Sequence, residues 1–368
     1  MFNRAGGMQK LSRDNAVRCA YLCYLFAIVL ISTLGYTASS ILYKIIVGMG
    51  AVLAIASLCV QKYTTKYLFL VVALFALSLI EIKITKKTTL MLTLLLLIAA
   101  KGIAQRKILA TFLIAKLSGL FLMFVFVIFG LFKIEKHTYY KMGLSKYIQR
   151  ISINGYGTTL IHLSVITCFV LYFILKRSKV GFAYYLFYVV TNYFAYRISL
   201  STMGFLVGNV SILIFFVAEK SYKFRKLFTR LSIWYIPMFI LFSFSTALLY
   251  SKSSIVDFLD RLFQGRIRYN NVFLTNHPFS VFGSGMLYDE GWFDNSYVYI
   301  WVAYGAIVFL VLLGAMQKMI AEYRKNNDWI ALLLIFVYLL VGISESIYPS
   351  AVVNPSLFLL LPLLESVK

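Results

Sequence analysis

The sequence predicts an all-α, polytopic membrane protein of about twelve spans, on the strength of three observations. Of its 368 residues, 61% are hydrophobic and only 13% charged, so a soluble fold would carry a largely apolar exterior. Apolar runs of the length needed to cross a hydrocarbon core, about 20 residues in a helix, repeat from end to end. Short basic clusters fall between those runs in alternation, as topology signals do.

The spans are expected at 18–36, 40–60, 66–82, 88–104, 108–132, 158–175, 181–196, 204–219, 232–250, 295–315, 329–345 and 352–365. The first follows a basic segment ending at Arg18 and lacks a small-x-small cleavage pattern, so it reads as a signal anchor. The last contains Pro355 and Pro362 and is expected to be broken or only partly inserted. Arg4–Arg18, Lys62/Lys66, Lys101–Lys107, Lys176–Lys179, Lys220–Arg230 and Lys318–Lys325 all fall on one side. The positive-inside rule makes that side the cytoplasm and places both termini there. Lys83, Lys86 and Lys87 break the pattern, with Glu81 as the nearby counter-charge. The whole chain, 1–368, is then one integral membrane domain with two large outer loops. They cover 133–157 and, between spans nine and ten, 251–294.

A net charge of +23 raises the possibility of nucleic-acid binding, but the basic residues are scattered between spans and form no basic domain. Cys19, Cys23, Cys59 and Cys168 lie in apolar runs without metal-ligand spacing, and His137, His162 and His277 form no cluster. No G-x-x-x-x-G-K-[ST] loop occurs, which excludes that nucleotide module. No cofactor is expected.

Polar chemistry concentrates in the second outer loop and in the start of the span that follows it. There Q-G-R-I-R-Y-N-N is followed by N-H-P-F-S-V-F-G-S-G-M and F-D-N-S-Y-V-Y-I-W-V-A-Y-G. Arg266 and Arg268 offer planar forks suited to phosphate oxygens, with headgroup contact as the alternative. Gly283 and Gly285 either permit a bend or bring backbone N–H groups to a phosphate. Asp294 opens a span, where an aspartate serves as helix cap, as general base toward a hydroxyl, or as both. Arg197 closes a span before a Ser/Thr-rich turn, Arg150 precedes another span, and His277 sits within the loop motif. Glu345 lies near a span end, where a carboxylate is costly unless paired or hydrated. Its simplest partner is one of the arginines. Lys116 lies inside an apolar run with no partner evident from the sequence, and His162 reads as a packing residue.

In motif order, residues 130–350 resemble the Wzy-type polysaccharide polymerases, within the larger group that includes the O-antigen ligases. The order is Asn154-Gly155-Tyr156-Gly157, the turn from Ser199 to Gly204, G-R-x-R, P-x-x-x-F-G-x-G, D-N-S-Y and G-x-x-E-S. The resemblance implies a membrane glycosyltransferase of the bacterial cytoplasmic membrane that makes capsular or exopolysaccharide. It would join undecaprenyl-pyrophosphate-linked repeat units on the outer face, independently of nucleotide or metal and with inversion. Arg266 and Asp294 would be catalytic. Arg268, Arg150, Arg197, Glu345, Gly283, Gly285 and His277 would contact substrate. The implied partners are lipid-linked oligosaccharides, membrane lipids, a flippase and a chain-length regulator, with no nucleic acid. Ligases carry His-Asn where this chain has Asp294-Asn295, which favours a polymerase; a ligase-like transferase and a flippase of lipid-linked sugars are the alternatives. Many relatives also carry Ser-Arg where this chain reads Ser199-Leu200 or Ser201-Thr202, with Arg197 nearby as a substitute.

Overall fold

The structure is a computed structural model that describes residues 2–36, 40–61, 63–141, 146–154, 157–177, 179–277, 279–285 and 294–365. It is mostly helical. Seven helices are long and apolar enough to cross a membrane, and four shorter apolar helices accompany them among the described residues. The finer expectation of about twelve spans is not resolved by these helices.

The chain opens with α1 (Phe2–Thr33), α2 (Ile41–Val60), α3 (Thr65–Thr85), α4 (Thr89–Ala99) and α5 (Gln105–Ile128). Strands β1 (Ile134–Lys141) and β2 (Lys146–Ile153) follow, then α6 (Thr158–Leu175), α7 (Phe182–Ser199), α8 (Thr202–Lys220), α9 (Tyr222–Leu231) and α10 (Tyr235–Leu248). The remainder is α11 (Ser254–Leu262), α12 (Arg266–Asn276), α13 (Ser296–Tyr299), α14 (Gly305–Lys325), α15 (Trp329–Val341) and the terminal α16 (Leu361–Glu365).

Burial is organised as in a membrane bundle. The centre is α15, whose Leu332, Leu333, Leu334 and Ile335 are fully buried. It packs against α6, α8, α9, α10 and α14. The peripheral helices turn large apolar side chains outward, such as Phe69 on α3 and Phe187 on α7. A water-facing surface would not tolerate so many, whereas hydrocarbon accepts them without cost.

Four expectations are corrected. The 133–157 segment is not simply a loop: β1 and β2 pair antiparallel with Ile134 opposite Ile153 and His137 opposite Arg150. Its β-branched and aromatic residues favour a pleated ribbon. The 251–294 segment contains the two helices α11 and α12. Glu81 is no surface counter-charge to Lys83, because it is fully buried in α3 with no hydrogen-bond partner among the described residues. The cap at the head of α13 is Asn295, whose side chain accepts from the amides of Tyr297 and Val298, so Asp294 is free of that duty.

The stretch after α15 leaves the helical path. Residues 342–354 form largely buried turns before a 3₁₀ segment (Pro355–Leu360) leads into α16. Where a broken or only partly inserted last span was expected, the chain has a short apolar helical stretch, Pro355–Leu364. Irregular backbone at such depth must have its polar groups satisfied by protein. Thr93 of α4 does part of this, donating to the Pro349 carbonyl and accepting from the Ala351 amide. The other irregular stretch is a π-helical segment, Ile300–Tyr304, between α13 and α14. Its freed carbonyls are met by residues 280–285: the Ser284 and Gly285 amides donate to Val302 and Ala303, and the Ala306 and Ile307 amides donate back to Ser280 and Val281. Gly283 (φ +81°) is required here, since a Cβ would lie 2.2 Å from the Ala303 carbonyl oxygen.

Candidate functional site

The site is built around the first residue of α12. Helix α11 ends where Gln264 (φ 59°) and Gly265 (φ 84°) take left-handed conformations, which turns the chain sharply into α12. Asp260, buried on α11, accepts from the Arg268 amide at 3.0 Å and so caps the new helix from its neighbour. Burial pushes the Asp260 carboxyl up from the usual aspartate range, against the backbone N–H groups that stabilise its charge. The Gln264 side chain donates to Thr202 Oγ1 at 2.8 Å, tying this corner to the start of α8. These contacts fix the direction in which Arg266 leaves the helix.

Arg266 is itself buried, 8% exposed. Its Nε donates to Asp294 Oδ2 at 3.0 Å and its Nη2 donates to Glu345 Oε1 at 3.1 Å. One guanidinium therefore bridges two carboxylates that are 51 residues apart in sequence, and the three groups together carry a net charge of −1. Burial works against the arginine's charge, but Asp294 and Glu345 more than offset it and raise its pKa above the ordinary value. The carboxylates are not equivalent. The Asp294 side chain is 33% exposed and that of Glu345 only 15%.

The two residues after Asp294 hold the cluster's other arm. Asn295 caps α13 with its carbonyl oxygen while its amide donates to Ser243 Oγ and to the Ile343 carbonyl. Ser296 donates through its backbone amide to the Gly342 carbonyl and through its hydroxyl to the Glu345 carbonyl, and it accepts from the Ile347 amide. Residues 342–347 are thus pinned to the head of α13. The D-N-S tripeptide thereby places both carboxylates on one arginine.

A second polar network lies beside this corner. His162 of α6 is fully buried, with Nε2 2.8 Å from Asn192 Oδ1 and Nδ1 3.1 Å from Ser199 Oγ. Asn192 Nδ2 donates to the Phe205 carbonyl, which leaves Oδ1 as the acceptor. Asn192 Oδ1 is thus placed to accept from Nε2, and Ser199 Oγ shares a hydrogen bond with Nδ1. This satisfied network agrees with the packing role expected for His162. Lys116, whose surroundings the sequence left open, lies with Nζ 3.4 Å from Ser164 Oγ.

Of the residues predicted from sequence, the structure brings together Arg266, Asp294 and Glu345. Arg268 lies two positions on and does not share Arg266's face of α12. Its guanidinium sits 5.2 Å from the Tyr269 ring, half-buried. Arg197 is exposed and donates to the Tyr193 hydroxyl at 3.5 Å, away from the α7 face that carries Asn192 and Ser199. Arg150 stands on β2 opposite His137, its side chain outside the described residues. His277 terminates α12 and is half-buried. Gly283 and Gly285 form the bend, and the amides of Ser284 and Gly285 serve the π segment, which leaves neither amide for a phosphate. Sequence reasoning missed the roles of Asp260, Asn295 and Ser296. The preference of asparagine for helix N-caps was the available signal for Asn295. No family model, curated protein or solved structure matches the chain.

Proposed function

We propose that the protein is a membrane glycosyltransferase that joins lipid-pyrophosphate-linked oligosaccharide repeat units on the outer face of the bacterial cytoplasmic membrane. The observation that supports this best is the Arg266–Asp294–Glu345 cluster, with one carboxylate open to solvent and the other held inside. It stands beside the resemblance in motif order to Wzy-type polymerases. Asp294 is the general base: it is the more exposed acid, and it is not the helix cap. Arg266 keeps it aimed. In this reading the acceptor hydroxyl attacks the anomeric carbon of the donor and gives its proton to Asp294. The bond to the lipid pyrophosphate breaks, and the pyrophosphate leaves with the electron pair. The half-buried Arg268 is the better placed phosphate contact, because Arg266 already spends two of its N–H groups on carboxylates. Displacement in one step inverts the anomeric centre.

The test is complementation of a strain lacking the gene, scored by polymer length at matched expression. Asp294→Asn keeps a hydrogen-bond acceptor for Arg266 but cannot take a proton, and a general base contributes about 10²–10⁴ in rate. Polymer should be reduced to single repeat units. Normal chain length in Asp294→Asn would remove the base role. Gene loss that traps repeat units inside the cell, instead of leaving single units outside, would point to a flippase.

A further inference from the structure

A second feature lies at the other end of the molecule. Helix α7 runs from Phe182 to Ser199, and Ser199 adjoins the corner that carries Arg266. An 18-residue helix is about 27 Å long, so its start lies a membrane's thickness away. There α5, α6 and α7 enclose an open groove of about 700 Å³. Leu113, Leu117 and Leu120 of α5, Phe169 of α6 and Phe187 of α7 line its walls, and Lys176 and Lys179 stand at its mouth.

We propose that this groove is a binding site for one anionic phospholipid, with an acyl chain between the helices and the headgroup phosphate on Lys176 and Lys179. Three observations carry this. First, the dimensions fit one leaflet. From Gly181 to Thr191, the two ends of the groove along α7, the rise is about 15 Å, half of a ~30 Å hydrocarbon core. Second, the charges complement a phosphate. Lys176 and Lys179 are exposed, and no carboxylate lies within ion-pair reach of either among the described residues. Third, the site is shaped. Tyr172 and Tyr184 stack at 5.8 Å, Tyr184 donates to the Phe169 carbonyl, and open space lies around Gly181. Lysines serving only membrane orientation need not converge on a concavity. The groove is separate from the Arg266 cluster, so it is independent of the proposed transferase reading.

The experiment uses the full-length protein in nanodiscs of mixed phosphatidylglycerol and phosphatidylcholine, followed by native mass spectrometry. One phosphatidylglycerol should be retained per chain in preference to phosphatidylcholine. A basic residue at the membrane surface favours anionic lipid about five-fold, so two give roughly 25-fold. Lys176→Glu with Lys179→Glu should abolish the preference. Ala183→Trp, an exposed position lining the groove, should also displace the lipid while leaving both lysines in place. Equal retention of the two lipids, or retention unchanged in either variant, would overturn the proposal. Retention of a polyprenyl phosphate in place of phosphatidylglycerol when both are supplied would overturn it too.

Discussion

Removing Arg266 should cost more stability than its single charge suggests, and the cost should divide unequally between its partners. Arg266→Ala deletes two charge-assisted hydrogen bonds, each worth about 1.5–3 kcal/mol, and leaves two carboxylates facing one another. Two like charges repel by about 4 kcal/mol at about 4 Å and an effective dielectric near 20, and by less at longer range. Asp294 is a third exposed and recovers water, so its share falls toward the surface-pair range of about 1 kcal/mol or less. Glu345 is more enclosed and keeps most of its share. The total expected for Arg266→Ala is roughly 3–5 kcal/mol, the range for breaking a buried pair. Double-mutant cycles should then give a coupling of about 2–3 kcal/mol for Arg266 with Glu345 and about 1 kcal/mol or less for Arg266 with Asp294. Unfolding titrations with dodecyl sulfate in mixed micelles, at low and at 1 M salt, provide the measurement. Salt should weaken the Asp294 coupling first, because it is the more exposed pair. Additive effects of Arg266→Ala and Glu345→Ala, or a larger coupling to Asp294, would refute the bridging arrangement.

Three further outcomes are expected. Asn295→Ala should destabilise the protein by about 2–4 kcal/mol, through loss of a helix cap and two buried bonds; Asn295→Asp, which keeps the cap but loses the donors to Ser243 and Ile343, should also destabilise it in the same titration. Gly283→Ala should abolish accumulation of folded protein, since its Cβ meets backbone at 2.2 Å, whereas Gly314→Ala, with nothing within 4 Å on α14, should be neutral or slightly stabilising; detergent gel filtration distinguishes them. Asp260 titrates above its unfolded value, so its contribution to stability is fully present below the ordinary aspartate pKa of about 3.9 and is lost as pH rises through the folded value. Asp260→Asn should therefore flatten the fall in stability across that acidic window while keeping an acceptor for the Arg268 amide, and an unchanged pH profile would contradict this.

The bundle was legible in the sequence because hydrocarbon imposes a simple requirement, long apolar helices, and long runs report it directly. Arg266, Asp294 and Glu345 were legible individually for a related reason, that charge near a membrane boundary needs a partner. A pairing of Glu345 with one of the outer arginines was expected, but the convergence of Asp294 and Glu345 on Arg266 was not legible, because it depends on how residues 342–347 fold back onto Asn295 and Ser296. That contact is set by tertiary hydrogen bonds between segments some fifty residues apart, which no local pattern encodes. The same limit explains Glu81. Sequence spacing put it near Lys83, but helical direction sent the two to different faces of α3. The hairpin could have been found, since β-branched and aromatic residues crowd both strands, yet an all-helical expectation absorbed it into a loop. Gly283 and Gly285 were read as either a bend or a phosphate contact and expected to touch substrate; the structure shows the bend, and the use of the Ser284 and Gly285 amides in satisfying a π segment depended on a helix irregularity that has no sequence signature.

The pairing of Arg266 changes what chemistry the site favours. An arginine free to form a fork would suit a pyrophosphate, as the G-R-x-R motif first suggested. Here its two donors point at carboxylates, and the cluster's net charge of −1 disfavours close approach of a multiply charged anion. A neutral, hydroxyl-bearing sugar meets no such barrier. On the proposed transferase reading, the cluster is therefore better matched to an acceptor hydroxyl than to a donor phosphate, with Arg266 as a positioning residue for Asp294. Arg266→Lys separates these roles, because a lysine restores charge but cannot hold two carboxylates in a fixed fork. If Arg266 positions the base, Arg266→Lys should lower the turnover of a membrane-reconstituted enzyme far more than it raises KM for the lipid-linked donor. A dominant rise in donor KM would return Arg266 to the phosphate.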